Sequence, residues 1–292
     1  MNDMRYEAPD NLEAAVALLS EESGSTTILA GGTDVLVQMH LDLIEPDLLV
    51  DIKNIKELRS IEKEDGGFRF GAAVSGVELM DHAEFCQTWP GVMDGVKLIG
   101  SLQVKGRGSV GGNVCNASPA ADSVPALISA GSTATIIGPN GRREVPVEDI
   151  GVAPGKTTLE KGEVVVSFFL PTRRANSGGA YLRFTPRTEM DIAVVGVGID
   201  LTLGGDGVCT HARVSLGAVA ERALLVDEAA DALIGTKVDE AATQNMMAAA
   251  RAACRPIDDK RGTKEYRVKV AGVLAGRAVA KALERANGRG QG

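Results

Sequence analysis

The sequence predicts an α+β protein: two α/β lobes, then a C-terminal domain with a small antiparallel sheet and helices. Three observations point there. Helix and strand patterns alternate from the start of the chain to about residue 175. Two long apolar stretches follow, 192–203 and 208–219, joined by Gly204-Gly205-Asp206-Gly207 as a tight hairpin loop. Three alanine-rich helical stretches then run over about 221–233, 239–253 and 264–286. With 292 residues the chain is long enough for two or three cores, and the pattern divides it into lobes at 1–57 and 58–175 and a domain at 176–288.

In the first lobe, Asp10 with Glu13 three positions on forms a candidate reciprocal cap. Leu12, Ala15, Val16 and Leu19 recur behind it at helical spacing. Residues 27–30 read as a buried strand broken by Gly31 and Gly32, 35–39 as a short helix, and 48–52 as a second strand behind Pro46. In the second lobe, Phe68, Phe70 and Ala72 alternate with Arg69 and Gly71, as in a half-buried strand. Ser75 and Glu78 form a capping box for a helix reaching about Phe85, and Pro90 opens another that ends near Gly100. A glycine-rich loop occupies 106–113. Ser118-Pro119 reads as a cap and first residue of a helix running to about Ala130. Strands at 133–137 and 164–168 complete the lobe, and the polar stretch 173–179 reads as the linker to the C-terminal domain.

Composition narrows the function. Lys plus Arg is 31 against 39 Asp plus Glu, a net charge of -8, which argues against a broad phosphate-binding surface and so against nucleic acid. No apolar run approaches the length of a membrane span, and the opening residues lack the regions of a signal peptide, so a cytoplasmic location is expected. The four cysteines form no CxxC pair and the three histidines are scattered, so spacing supplies neither an iron–sulfur nor a zinc site. No Ser/His/Asp or Cys/His arrangement is evident.

The chemistry therefore rests on two glycine loops. Ala30-Gly31-Gly32-Thr33-Asp34 lies between a strand and a helical turn. Glycines permit positive φ and leave no Cβ between backbone and ligand, so successive amides can face one anion; the alternative is a plain tight turn. The second loop, 106–113, contains Gly106, Gly108 and Gly111 in G-x-G-x-x-G spacing. A nicotinamide-binding loop of that form needs a strand before it and a helix opening inside it, whereas Gly112, Asn113 and Cys115-Asn116 read as continued turn. Together the two loops suit a clamp on a dinucleotide diphosphate. Asp122 is a candidate acceptor for sugar or ribityl hydroxyls, or else a first-turn carboxylate favoured by its helix.

AGGTD at 30–34, SVGGN at 109–113 and NASPAAD at 116–122 together resemble the FAD-binding subunits of xanthine dehydrogenases and aerobic carbon monoxide dehydrogenases. The likeness extends over nearly the whole chain, through RFTPRTEMDIA at 183–193 and through Asp258-Asp259, Arg261 and Glu265-Tyr266-Arg267. It implies a two-lobed FAD-binding domain of the PCMH type, followed by a carbon monoxide dehydrogenase flavoprotein-like C-terminal domain. It further implies FAD as cofactor, with Ala30, Gly31, Gly32, Thr33 and Asp34 wrapping the pyrophosphate side. Ser109, Gly111, Gly112 and Asn113 form the second half of the clamp. Asp122 bonds the polar chain of FAD, and Val165 packs near the flavin. Arg183 stands where many relatives carry Lys close to the isoalloxazine, a change of geometry at constant charge. No catalytic side chain and no metal is implied in this chain. The implied partners are a small subunit with two [2Fe–2S] clusters and a large molybdenum–pterin subunit, in a heterotrimer that itself dimerises. Two other readings remain: an FAD-binding assembly subunit without an electron path, and a stand-alone nicotinamide oxidoreductase.

Overall fold

The computed structural model describes residues 4–187 and 191–288. Thr188–Met190, inside the 183–193 segment singled out above, lie outside the described residues. The first lobe is β1 (Arg5–Glu7), α1 (Leu12–Glu21), β2 (Thr26–Leu29), α2 (Val35–His40) and β3 (Leu48–Asp51), with the strands forming a parallel sheet in the order β1-β3-β2. Every residue of β3 is buried, as expected of the central strand of a parallel sheet. The cap of α1 falls one residue later than predicted. Asn11, not Asp10, accepts from the N–H of Ala14 at 2.8 Å, and Asp10 instead holds the Asn11 amide at 2.8 Å.

The second lobe begins with β4 (Ile61–Glu64) and β5 (Gly67–Gly71). Six short helices follow: α3 (Gly76–Asp81), α4 (Ala83–Thr88), α5 (Pro90–Val96), α6 (Leu102–Lys105), α7 (Val110–Cys115) and α8 (Ser123–Ser129). The lobe closes with β6 (Thr133–Gly138), β7 (Gly141–Pro146), the small hairpin β8 (Gly151–Ala153) and β9 (Lys156–Thr157), and β10 (Val164–Leu170). Its sheet is antiparallel in the order β4-β5-β10-β6-β7. The Ser75–Glu78 capping box is present in both directions. Replacing Ser75 with Ala is expected to lower the unfolding free energy by about 1 kcal/mol, read as a shift in the urea midpoint at unchanged m-value. The predicted helix to Phe85 breaks at His82, whose Nδ1 accepts from the N–H of Phe85 and caps α4.

Two expectations in this lobe are corrected. The helix assigned to Ser118-Pro119 begins instead at Ser123. The carbonyl of Pro119 is drawn into a bond from the N–H of Ala218 at 2.7 Å, Ala117 adopts φ +48, and 118–121 close as a turn. The second glycine loop, read as turn throughout, does open a helix: Ser109 caps α7 by accepting from the N–H of Gly112. The element before that loop is α6 and not a strand, so the nicotinamide-loop context is absent.

The C-terminal domain comprises β11 (Ser177–Phe184), β12 (Val195–Leu203), β13 (Cys209–Gly217), β14 (Leu224–Leu225), α9 (Asp227–Asp231), α10 (Glu240–Ala253) and α11 (Lys264–Ala286). Its antiparallel sheet runs β11-β12-β13-β14 and packs on α10 and α11 through a core of small apolar side chains, among them Ala271, Ala275, Ala278 and Ala282. Residues 177–179, read as linker, belong to β11. Their glycines serve helix–sheet approach: a Cβ on Gly178 would sit 1.9 Å from the carbonyl oxygen of Ala282 in α11. On its other face the sheet receives α8. Gly198 lies against the Pro125 carbonyl, to which Ser215 Oγ donates at 2.6 Å. Asp94 of α5 ties the same junction to Lys281 and Arg285 of α11. Among the described residues no helix is long and apolar enough to cross a membrane, and no group of His, Cys, Asp or Glu is arranged to hold a metal ion.

Candidate functional site

The two glycine loops meet. A Cβ on Gly31 would stand 2.0 Å from the carbonyl oxygen of Arg107, so only glycine allows the first loop to touch the backbone of the second. Their contact lines one wall of a cleft of about 560 Å³ between the lobes. Ala30, Gly31, Gly32, Thr33, Asp34, Ser109, Gly111, Gly112, Asn113 and Val165 all line it. Gly32 has φ +75, which turns the chain from β2 into α2.

The two halves present different chemistry. In the first loop the N–H groups of Gly31, Gly32, Thr33 and Asp34 have no protein acceptor among the described residues. In the second, the N–H of Gly111 bonds the Ala72 carbonyl at 3.1 Å, that of Gly112 bonds Ser109 Oγ at 3.0 Å, and that of Asn113 bonds the Ser109 carbonyl at 3.0 Å. The second loop therefore offers the Ser109 hydroxyl proton, the Asn113 amide nitrogen and an open backbone surface. Gly112 is exposed, and a Cβ there would meet nothing but Ser109 Oγ within 4 Å. The carboxamide oxygen of Asn113 is already engaged, accepting from Ser123 Oγ at 2.7 Å at the start of α8.

Among the described residues no arginine lines the cleft. Lys161 is its cation, and that ammonium donates to the Glu22 carbonyl at 2.6 Å. Of its carboxylates, Glu163 is held in a two-bond pair with Arg143 at 2.7 Å, which keeps its pKa below the usual range. An anion in this cleft is met by backbone dipoles rather than by salt bridges. Half-buried Cys115 also lines it, and desolvation pushes its thiol up to about 12, so it stays a protonated packing group.

Asp122 and Arg183 are not among the residues lining this cleft; they are paired with each other behind it. Arg183 Nη1 donates to Asp122 Oδ2 at 2.6 Å and to the Leu98 carbonyl at 3.0 Å, next to Ile99, which does line the cleft. Tyr181 donates its hydroxyl to Asp122 Oδ1 at 2.8 Å. Burial raises the Asp122 carboxyl to about 6 against the pull of Arg183 and Tyr181, and the Tyr181 phenol lies well above its ordinary value. Sequence reasoning did not find the rest of the lining: Ala72, Ile99, Gly155 and the stretch from Leu159 to Val164. Gly155 and Gly162, at φ +70 and +84, are legible as turns, but nothing in their spacing shows that they share a cleft with the glycine loops.

Residues 2–173 match the family described as FAD binding domain in molybdopterin dehydrogenase, and residues 180–282 match the CO dehydrogenase flavoprotein C-terminal domain. The carbon monoxide dehydrogenase medium chain of Hydrogenophaga pseudoflava is 32% identical over 280 residues, covering 96% of this chain and 97% of that one. The putative xanthine dehydrogenase FAD-binding subunit of Escherichia coli is 27% identical over 286 residues, 97% of each chain. In structure, carbon monoxide dehydrogenase from Hydrogenophaga pseudoflava superposes with a TM-score of 0.93 at 33% identity, covering 97% of this chain and 98% of that one. Quinoline 2-oxidoreductase from Pseudomonas putida 86 gives 0.89 at 28% identity, covering 98% of both.

Proposed function

This chain belongs to the FAD-binding subunits of the molybdenum hydroxylases, the family of xanthine and carbon monoxide dehydrogenases, and on that premise we propose that it carries electrons from the iron–sulfur clusters of a partner to NAD, a quinone or another acceptor. The observation that supports this most is the junction of the two glycine loops on one cleft. Four unpaired N–H groups stand on one side of it and a side-chain-free helical face on the other. Such a cradle fits a diphosphate without any cationic side chain.

In this reading Gly31, Gly32, Thr33 and Asp34 hold the pyrophosphate through their N–H groups. Ser109 and Asn113 donate from the facing helix, and Gly111 and Gly112 let that helix approach. Val165 supplies an apolar contact on β10. Asp122 and Arg183 act from behind the cleft, where Arg183 holds the Leu98 carbonyl beside the lining residue Ile99. When bound, FAD supplies the step between one-electron transfer from a cluster and two-electron transfer to an acceptor. The protein orients the ring and excludes water. The domain limits proposed are 1–57 and 58–175 for the two flavin lobes and 176–288 for the C-terminal domain. The proposed assembly is a dimer of heterotrimers, with a small subunit bearing two [2Fe–2S] clusters and a large molybdenum–pterin subunit.

Two measurements test this. Purified protein is expected to be yellow and to release one FAD per chain on denaturation. In the complex, dithionite-reduced clusters are expected to reduce that flavin within the turnover time. A folded, colourless chain with no affinity for added FAD defeats the reading. A bound flavin that the partner clusters leave oxidised would identify an assembly subunit instead.

A further inference from the structure

Helix α5 ends in a turn, Lys97 to Gly100, that brings Ile99 to the flavin cleft. The end of a helix leaves carbonyls without backbone partners. Here the N–H groups of Lys97, Leu98 and Ile99 fold back on the carbonyls of Met93, Gly95 and Val96. The carbonyls of Leu98 and Gly100 receive no backbone N–H among the described residues. Each is met instead by a cationic side chain. Arg183 Nη1 donates to the Leu98 carbonyl at 3.0 Å, and Lys105 Nζ donates to the Gly100 carbonyl at 3.1 Å. Ile99 lies between the two, so cations fasten the turn on both sides of the residue it contributes to the cleft.

The two anchors come from different parts of the chain. Lys105 belongs to α6 in the same lobe and is 8% exposed. Gly100 has φ +54, and a Cβ there would stand 2.7 Å from Val104, so glycine lets the turn close onto α6. Arg183 comes from β11 of the C-terminal domain. Strand alternation puts Tyr181 and Arg183 on one face, and both reach Asp122 at the start of α8, at 2.8 and 2.6 Å. That carboxylate is the counter-charge that lets a guanidinium stay buried there. Arg183 is thus turned to the back of the turn, and it is not among the residues lining the cleft.

We propose, on the flavin reading of the cleft, that Arg183 and Lys105 are positioning residues for FAD: they act through Ile99, by fixing the 98–100 turn, and not by touching the cofactor. The C-terminal domain thereby takes part in the site, since β11 supplies one of the two anchors. The arginine at 183 also gains a reason. A lysine ammonium on the same Cα stops about one bond short of Nη1, so it keeps the charge beside Asp122 and falls short of the Leu98 carbonyl.

The test is a double-mutant cycle on the full chain, with FAD affinity read by fluorescence titration of the flavin-free protein. Ile99 is half-buried, and Arg183→Lys keeps a cation at Asp122, so both variants are expected to fold, which far-ultraviolet circular dichroism checks. Arg183→Lys is expected to weaken FAD by about tenfold, and Ile99→Ala by a similar factor. In the Ile99→Ala background Arg183→Lys is expected to cost less than about twofold, because changes that act through one contact do not add. Lys105→Met, which keeps the stem and removes the charge, is expected to show the same dependence on Ile99. The fine structure of the bound flavin's visible band, which a rigid apolar wall sharpens, is expected to blur in all three single variants, whereas a loss of global stability alone leaves it unchanged. An Arg183→Lys effect of equal size in both backgrounds overturns the proposal, because the guanidinium is then acting on FAD directly. Wild-type affinity in Arg183→Lys overturns it as well. A wild-type chain that takes up no FAD defeats the flavin reading, and the positioning role with it, at the first titration and before any variant is made.

Discussion

Gly112→Val is expected to lower FAD affinity by at least about 100-fold, near 2.7 kcal/mol, while leaving the FAD-free protein folded. The new side chain starts from a position where the one heavy atom within 4 Å is Ser109 Oγ, and it extends into the cleft. It therefore occupies ligand space without displacing protein atoms. Within α7, Val has a better helix propensity than Gly by a few tenths of a kcal/mol, and the N–H bond to Ser109 Oγ is retained. Its neighbour supplies the contrast. A Cβ on Gly111 would lie 2.4 Å from the Ala72 carbonyl oxygen, so Gly111→Ala strikes the packing of α7 on the second lobe and is expected to lower the stability of the free protein. FAD fluorescence titration and thermal melts of the flavin-free proteins separate the two effects. Wild-type FAD affinity in Gly112→Val would show that the diphosphate does not pass this face of α7.

The glycine loops were legible because backbone approach leaves a trace in sequence: side chains are absent where two main chains, or a main chain and a ligand, come within contact. What that trace does not say is which of the two is approached. Gly31 and Gly112 read alike, yet Gly31 meets the Arg107 carbonyl and Gly112 meets open cleft. The same ambiguity hid β11. Gly178 and Gly179 read as linker, but they are strand residues pressed on α11 and on Asp200. Long periodic elements such as α11 and β12 were found nearly in full. The Ser118-Pro119 cap failed because local propensity was overridden by a long-range bond to Ala218. The pairing of Asp122 with Arg183 and Tyr181, some sixty residues on, had no signal in spacing, because strand register across the domain junction sets it.

That buried pair gives a pH dependence opposite to the usual behaviour of a carboxylate in an ion pair. Asp122 is 7% exposed, and burial raises its carboxyl from 3.8 to about 6 despite Arg183 and Tyr181. Between about pH 4 and 6 the folded chain therefore holds this proton more than the unfolded chain does. The stability contributed by the group is complete below the unfolded value and is lost as pH rises through the folded one, a change of about 3 kcal/mol. Asp200, also raised to about 6 by burial beside Arg173, has the same sign. Ion-paired carboxylates such as Glu57 and Glu163, with depressed values, have the opposite sign and lose their contribution at lower pH. The wild-type curve mixes all of these, so the decisive quantity is a difference. Asp122→Asn keeps the size and the acceptor for Tyr181 but cannot ionise. Urea unfolding of the flavin-free proteins is expected to show the variant gaining on wild type by about 3 kcal/mol between pH 4 and pH 7. A variant that instead loses ground over that range would mean that Arg183 outweighs burial and keeps Asp122 charged throughout. The carboxylate would then be an anionic fixture behind the cleft rather than a group that takes up a proton in mild acid.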